Sequence, residues 1–187
     1  MFLLEYLKSP MKIGAVAPSS KRLARKMAEP IDFKNCKCIV EFGPGTGVFT
    51  DEIIARKGED IVFILIEQNQ EFWAKLHQRY KFKKNVHVVH GDASDIQLYL
   101  DRYHQQKADY IISGLPFASL PKSVSQRILE AIRNVIRDSG KFITFQYTLL
   151  KKNMFLQWFH LENTEYELLN FPPAFVLEMK KDKCMGI

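Results

Sequence analysis

The stretch "VEFGPGTGVFT", residues 40–50, runs from apolar residues straight into closely spaced glycines and then into a helix-forming segment. Gly43, Gly45 and Gly47 permit a tight turn and let a ligand come close to the backbone. The stretch is not a phosphate-binding P-loop, which needs a Gly-Lys-Ser/Thr ending, because the next lysine is Lys57. It also departs from the dinucleotide fingerprint, since its third glycine comes one residue early and Val48 follows. Glu41, just before the turn, places negative charge where a pyrophosphate would sit, and it suits a ligand with a cationic or ammonium-bearing end.

Working outward, the apolar runs "KCIVEF" (37–42), "IVFILIE" (61–67), "VHVVHG" (86–91), "DYIIS" (109–113) and "KFITFQYT" (141–148) suit strands buried on both faces. Helix patterns lie between them. Thr46 to Lys57 stops at Gly58, Asn69 to Arg79 opens on a capping side chain, and Ser123 to Asp138 spaces its apolar residues at helical intervals before Gly140. The alternation predicts an α/β fold with a mostly parallel sheet. After the fifth strand, "LLKKNMFLQWFH" (149–160) reads as a helix, and "EYELLNF" (165–171) and "AFVLEMKK" (174–181) as two strands joined by Pro172 and Pro173. Their short connection predicts a terminal antiparallel element.

The chain has 187 residues, 47% of them hydrophobic and 26% charged, a size and balance that fit one domain (1–187). No apolar stretch reaches the roughly 20 residues of a membrane-spanning helix. The expected location is cytoplasmic, with peripheral contact to the inner membrane face. Cys36, Cys38 and Cys184 and the five histidines show no metal-ligand spacing, so no metal is expected. The net charge of +6 points to an anionic partner. Part of this charge is concentrated in residues 1–30, an N-terminal amphipathic helical segment. There Lys21, Arg22, Arg25 and Lys26 occupy one arc of a helix whose other arc holds Leu23 and Met27. Such a helix can cap the sheet, close over a site, or touch anionic lipid.

Two more strand ends complete a site. Glu67 can accept hydrogen bonds from both hydroxyls of a ribose, and in "GDASD" (91–95) Asp92 and the Ala93 N–H can meet an adenine edge. Together with "EFGPGTGVFT", this ordered set resembles the cofactor motifs of class I S-adenosylmethionine-dependent methyltransferases over about residues 37–181. The resemblance implies a Rossmann-like core with a seven-stranded sheet and helices on both faces. It implies S-adenosylmethionine as cofactor and S-adenosylhomocysteine as product. The implied cofactor contacts are Glu41, Gly43, Pro44, Gly45, Thr46, Gly47, Glu67, Gln68, Gly91, Asp92, Ala93 and Ser113.

The acceptor is read at the fourth strand end, "SGLPF" (113–117), where Ser113, Gly114, Leu115, Pro116 and Phe117 are the substrate-positioning candidates, joined by Tyr147. The motif resembles the Asn-Leu-Pro-Tyr/Phe step of the ribosomal RNA adenine dimethylases, but Gly114 stands where their asparagine would hold the adenine amine. The chain also resembles the soluble bacterial phospholipid N-methyltransferases, which modify phosphatidylethanolamine, in "GAVAPSSKRLARKMA" (14–28), "SGLPF" and "NFPPAFV" (170–176). That resemblance implies an anionic membrane surface and a phospholipid amine as partners. RNA adenine and small-molecule amines remain the alternative acceptors. A ring at Phe117, Tyr147 or Phe175 can stabilise the cation formed as methyl groups are added. No general base is assigned.

Overall fold

Six of the apolar runs expected to form strands lie in one seven-stranded sheet, and the seventh, expected over 165–171, enters it only as far as Glu167. The computed structural model describes residues 20–181, so the part of the N-terminal segment before Ser20, including that part of the 14–28 stretch, and Cys184 lie outside the described residues. The strands are β1 (Cys38–Phe42), β2 (Val62–Glu67), β3 (Val86–His90), β4 (Ala108–Ser113), β5 (Ile136–Gln146), β6 (Phe159–Glu167) and β7 (Ala174–Lys181). They run in the order β3-β2-β1-β4-β5-β7-β6. β7 is antiparallel to both β5 and β6, and the other pairings are parallel.

The helices are α1 (Lys21–Ala28), α2 (Val48–Arg56), α3 (Gln70–Tyr80), α4 (Ile96–Arg102), α5 (Lys122–Val135) and α6 (Lys152–Leu156), with a 3₁₀ turn at Ala93–Asp95. They cover both faces because successive strand residues point to opposite sides. Ile39, Phe63 and Leu65 pack with Leu23 and Met27 of α1, Ile53 of α2 and Leu76 of α3. Val40, Phe42, Ile64 and Ile66 pack on the other face with Leu100 of α4 and Ile128, Leu129 and Ile132 of α5. Helix α1 starts at Ser20, whose Oγ accepts the Leu23 N–H at 3.1 Å. Its buried arc is the predicted one, and Lys21, Arg22 and Arg25 are exposed.

Four elements differ from the sequence reading. The strand expected over 165–171 begins earlier, at Phe159, and ends at Glu167. Helix α5 ends at Val135 rather than Asp138, because Ile136 pairs with Ala108 and starts a longer β5. Arg137 then donates to Asp109 at 2.7 Å and pins the strand start. The helix expected over 149–160 shrinks to α6, since Phe159 enters β6 at the sheet edge. Helix α4 was not predicted; it is short, and Ile96, Tyr99 and Leu100 are its buried residues.

Phe117 departs furthest from its expected role. It is fully buried and meets Phe155 edge-on at 5.2 Å between ring centroids and Phe142 at 6.3 Å. The proline before it turns the chain inward, so the ring anchors the β4–α5 connection to the core and presents no face to a substrate. Phe117→Ala should therefore cost about 3–5 kcal/mol of stability. Phe117→Leu, which retains more of the volume, should cost less, as chemical denaturation would measure.

Candidate active site

The order of the sheet reverses at β1, which has β2 on one side and β4 on the other. The connections leaving these strands part at this point and open a crevice at the carboxyl ends of the strands, the usual binding position of such sheets. Here it is a cavity of about 680 Å³. Gly43, Pro44, Gly45, Thr46, Glu67, Gln68, Gly91, Asp92 and Ala93 line one part of it, and Gly114, Leu115, Pro116 and Tyr147 another.

The turn after β1 needs its glycines for distinct reasons. Gly47 has φ 84°, and a Cβ there would lie 2.7 Å from the Tyr80 hydroxyl. Tyr80 in turn donates to Asp51 at 2.7 Å, and Arg79 donates to the other Asp51 oxygen at 2.5 Å. The end of α3 thus braces the turn from behind, and Gly47 supports the cavity without lining it.

Glu67 ties the turn to the next strand. One carboxylate oxygen accepts the Gly45 N–H at 3.0 Å and the other accepts the Asn69 N–H at 2.8 Å. Burial raises its pKa, and these backbone donors oppose the rise. Each oxygen keeps a further acceptor site, which suits a pair of ribose hydroxyls. One oxygen of Asp92 accepts from the Ser94 N–H and hydroxyl at 2.8 and 2.7 Å, which fixes the carboxylate beside Gln68 at the cavity edge.

Glu41 does not line the cavity. It is wholly buried behind the turn, where one oxygen accepts the Thr50 hydroxyl at 2.8 Å and the other has no hydrogen-bond partner. Desolvation pushes its pKa up to about 8. The expected direct contact with the ligand is replaced by a field acting from beneath the turn. An orphaned buried acid fits a cavity that takes a cationic group, because a nearby positive charge favours its ionised form.

On the acceptor side, Ser113 is also buried. Its hydroxyl accepts the Leu115 N–H at 3.2 Å and its carbonyl accepts the Thr144 hydroxyl at 3.2 Å, so it shapes the turn rather than contacting a ligand. Gly114 donates its N–H to the Phe42 carbonyl at 2.8 Å, and a Cβ on it would stand 2.8 Å from the Gly43 carbonyl oxygen. The missing side chain is thus a packing requirement of this chain as well as a difference in chemistry. The aromatic wall comes from Phe49, Phe72, Phe145 and Tyr147, with Tyr147 edge-on to Phe145 at 5.4 Å. Phe175 instead stacks on Tyr166 at 4.6 Å. Sequence reading missed Gln146, whose amide nitrogen lies 3.5 Å from the Leu115 carbonyl. Its signal is a polar residue at the end of the alternating run that buries Phe142 and Thr144.

The fold and the cavity define a class I S-adenosylmethionine-dependent methyltransferase. The family model described as ribosomal RNA adenine dimethylase matches residues 19–163, and the chain belongs to that family. Over 176 residues it is 31% identical to an ornithine lipid N-methyltransferase of Singulisphaera acidiphila, covering 93% of this chain and 91% of that one. It is 25% identical over 111 residues to a ribosomal RNA small subunit methyltransferase A of Sulfurihydrogenibium, covering 59% of this chain and 42% of that one. In fold it is similar to TrmN from Thermus thermophilus, with a TM-score of 0.69 at 12% identity, covering 94% of this chain and 52% of that one. The PH0226 protein of Pyrococcus horikoshii gives a TM-score of 0.67 at 14% identity, covering 95% and 99%.

Two outcomes are expected. Gly114→Ala must push the turn after β1 aside, so affinity for S-adenosylmethionine should fall about tenfold, or about 1.4 kcal/mol, by calorimetry. For Glu41, the folded pKa near 8 lies above the ordinary value of 4.5. Its contribution to stability is therefore full below the ordinary value and is lost as pH rises through about 8. In the absence of cofactor, the melting temperature of the native protein relative to Glu41→Gln should decline between about pH 5 and 8. Bound S-adenosylmethionine should shrink that decline.

Proposed function

We propose that this methyltransferase modifies the amine of a membrane lipid headgroup, such as that of phosphatidylethanolamine or an ornithine lipid. The near full-length similarity to an ornithine lipid N-methyltransferase carries the reading. The cavity supports it. S-adenosylmethionine supplies, when bound, an electrophilic methyl carbon and leaves as S-adenosylhomocysteine. Glu67, Asp92 and the turn at Gly43–Gly47 would hold it.

Beyond that region, Leu115, Pro116, Leu120, Val124 and Ile128 give the cavity apolar walls. Such walls favour the neutral amine, the form with a lone pair for an in-line displacement, over the ammonium ion. The Leu115 carbonyl accepts the Phe117 N–H at 3.0 Å and lies 3.5 Å from the Gln146 amide nitrogen, so its polarity is spent on holding the turn. Tyr147 and Phe145 face a nitrogen that becomes permanently cationic when fully methylated, and rings of this kind hold such cations by cation–π attraction. The proton released leaves to water, and catalysis comes mainly from positioning. Exposed Lys21, Arg22 and Arg25 favour an anionic membrane surface. Lys26, expected among them, is instead engaged with the Tyr166 carbonyl at 3.0 Å and Glu165 at 3.3 Å.

A second reading, methylation of RNA adenine, is favoured by the family model and the shared Leu-Pro-Phe step. Against it stand Gly114, which brings no amide, and the burial of Phe117, which leaves that ring unable to stack on a base. The test supplies labelled S-adenosylmethionine with phosphatidylethanolamine vesicles, ornithine lipid micelles, or a structured ribosomal RNA transcript. Label is expected in lipid and not in RNA; methylated adenine without labelled lipid would reverse the assignment.

A further inference from the structure

The connection between β6 and β7, residues 168–173, is the most apolar exposed feature of the described surface. Leu168 is 67% exposed, Leu169 65% and Phe171 83%. Grouping three large, mostly exposed apolar side chains within four residues is costly, unlike the scattered single exposures of ordinary surfaces. The tip is nevertheless held in place. The buried Asn170 accepts the Ser20 N–H at 3.0 Å and donates to the Pro172 carbonyl at 2.6 Å, which turns its neighbours outward.

Its position in the fold matters more than its composition. β7 is antiparallel to β5, and Gln146 at the end of β5 pairs with Phe175 at the start of β7. Glu167 at the end of β6 pairs with Ala174. The connection therefore leaves the sheet at the same edge as the cavity. Leu150, 91% exposed, follows β5 from that edge as well. Ser20, which caps α1, bonds to Asn170 of the connection, and Lys26 of α1 bonds to Tyr166 of β6, so the helix that carries the exposed cations Lys21, Arg22 and Arg25 packs against the base of the apolar tip.

We propose that Leu168, Leu169 and Phe171 enter the hydrocarbon border of an anionic bilayer while Lys21, Arg22 and Arg25 hold its headgroups, which sets the cavity mouth at the headgroup layer. This rests on the lipid-amine reading and adds the surface through which that substrate is reached. Charge and composition select the occupant. A nucleic acid would use the cations but leaves three apolar side chains in water, whereas a lipid surface uses both.

The test compares the native protein with Leu168→Ser/Leu169→Ser/Phe171→Ser. The control is Phe82→Ser, which removes a residue that is 90% exposed but lies between α3 and β3, at the opposite sheet edge. Sedimentation with phosphatidylglycerol/phosphatidylcholine vesicles should weaken at least about tenfold in the triple variant and not in the control. Transfer to a detergent-dispersed lipid amine and S-adenosylmethionine affinity should stay within about twofold, which also shows that the variant is folded. A Phe171→Trp protein should gain blue-shifted emission that brominated lipid chains quench.

Unchanged vesicle binding in the triple variant, or tryptophan emission insensitive to brominated lipid, overturns the proposal. So does loss of RNA binding with vesicle binding intact. The failures separate cleanly. Vesicle binding through this tip with no lipid amine methylated sinks the substrate reading alone, and micellar transfer by a native protein that ignores vesicles sinks the docking surface alone.

Discussion

Two turns on neighbouring strands meet with no space between them: the backbone after β4 lies so close to the Gly43 carbonyl that Gly114 cannot carry even a Cβ without moving it. The rest of the site depends on this contact. β1 and β4 pair in parallel, so their connections leave from the same edge, and the contact makes the two connections one surface. One side of the seam carries Glu67 and Asp92, held by backbone donors and by Ser94, and offers acceptors to hydroxyl and amino groups. The other side carries Leu115, Pro116 and the rings of Phe145 and Tyr147 at the end of β5, and offers little polarity. A cavity so divided suits a polar methyl donor and an acceptor nitrogen that must shed its hydration.

Much of this was legible in the sequence. Strands buried on both faces announce themselves as unbroken apolar runs, and five of them, interleaved with helices, leave few arrangements other than a parallel sheet. Residues whose backbone forms the site were legible too, because Gly43, Gly45 and Gly47 all take positive φ, the conformation glycine adopts most readily. Edge strand β6 was harder to see. Its run "FHLENTEYE" carries polar residues that keep an unpaired edge soluble and hide the alternation, so the pattern puts a helix up to His160 and a strand only from Glu165.

Side-chain direction was the least legible feature. Phe117 follows a proline in a motif whose relatives were expected to use the ring on a substrate, and only packing against Phe142 and Phe155 shows that it points inward. Glu41 is a second case: an acid at a strand end predicts a ligand contact, whereas the pleat sends it beneath the turn, where the Thr50 hydroxyl donates to it. Gln146 escaped notice because a single polar residue at the end of a strand is common. Its meaning depends on β5 lying next to β4.

The seam between β1 and β4 has a consequence for descent. On the proposed reading, the donor's contacts come mainly from the first half of the chain, up to Ala93, while most of the acceptor's apolar walls come from residues after Ser113, joined by Phe49 and Phe72. Drift in the second half can therefore exchange one acceptor for another without disturbing the part that all acceptors share. A lineage built this way can keep its chemistry and change its clientele, and relatives named for ribosomal RNA and for ornithine lipid both align with this chain.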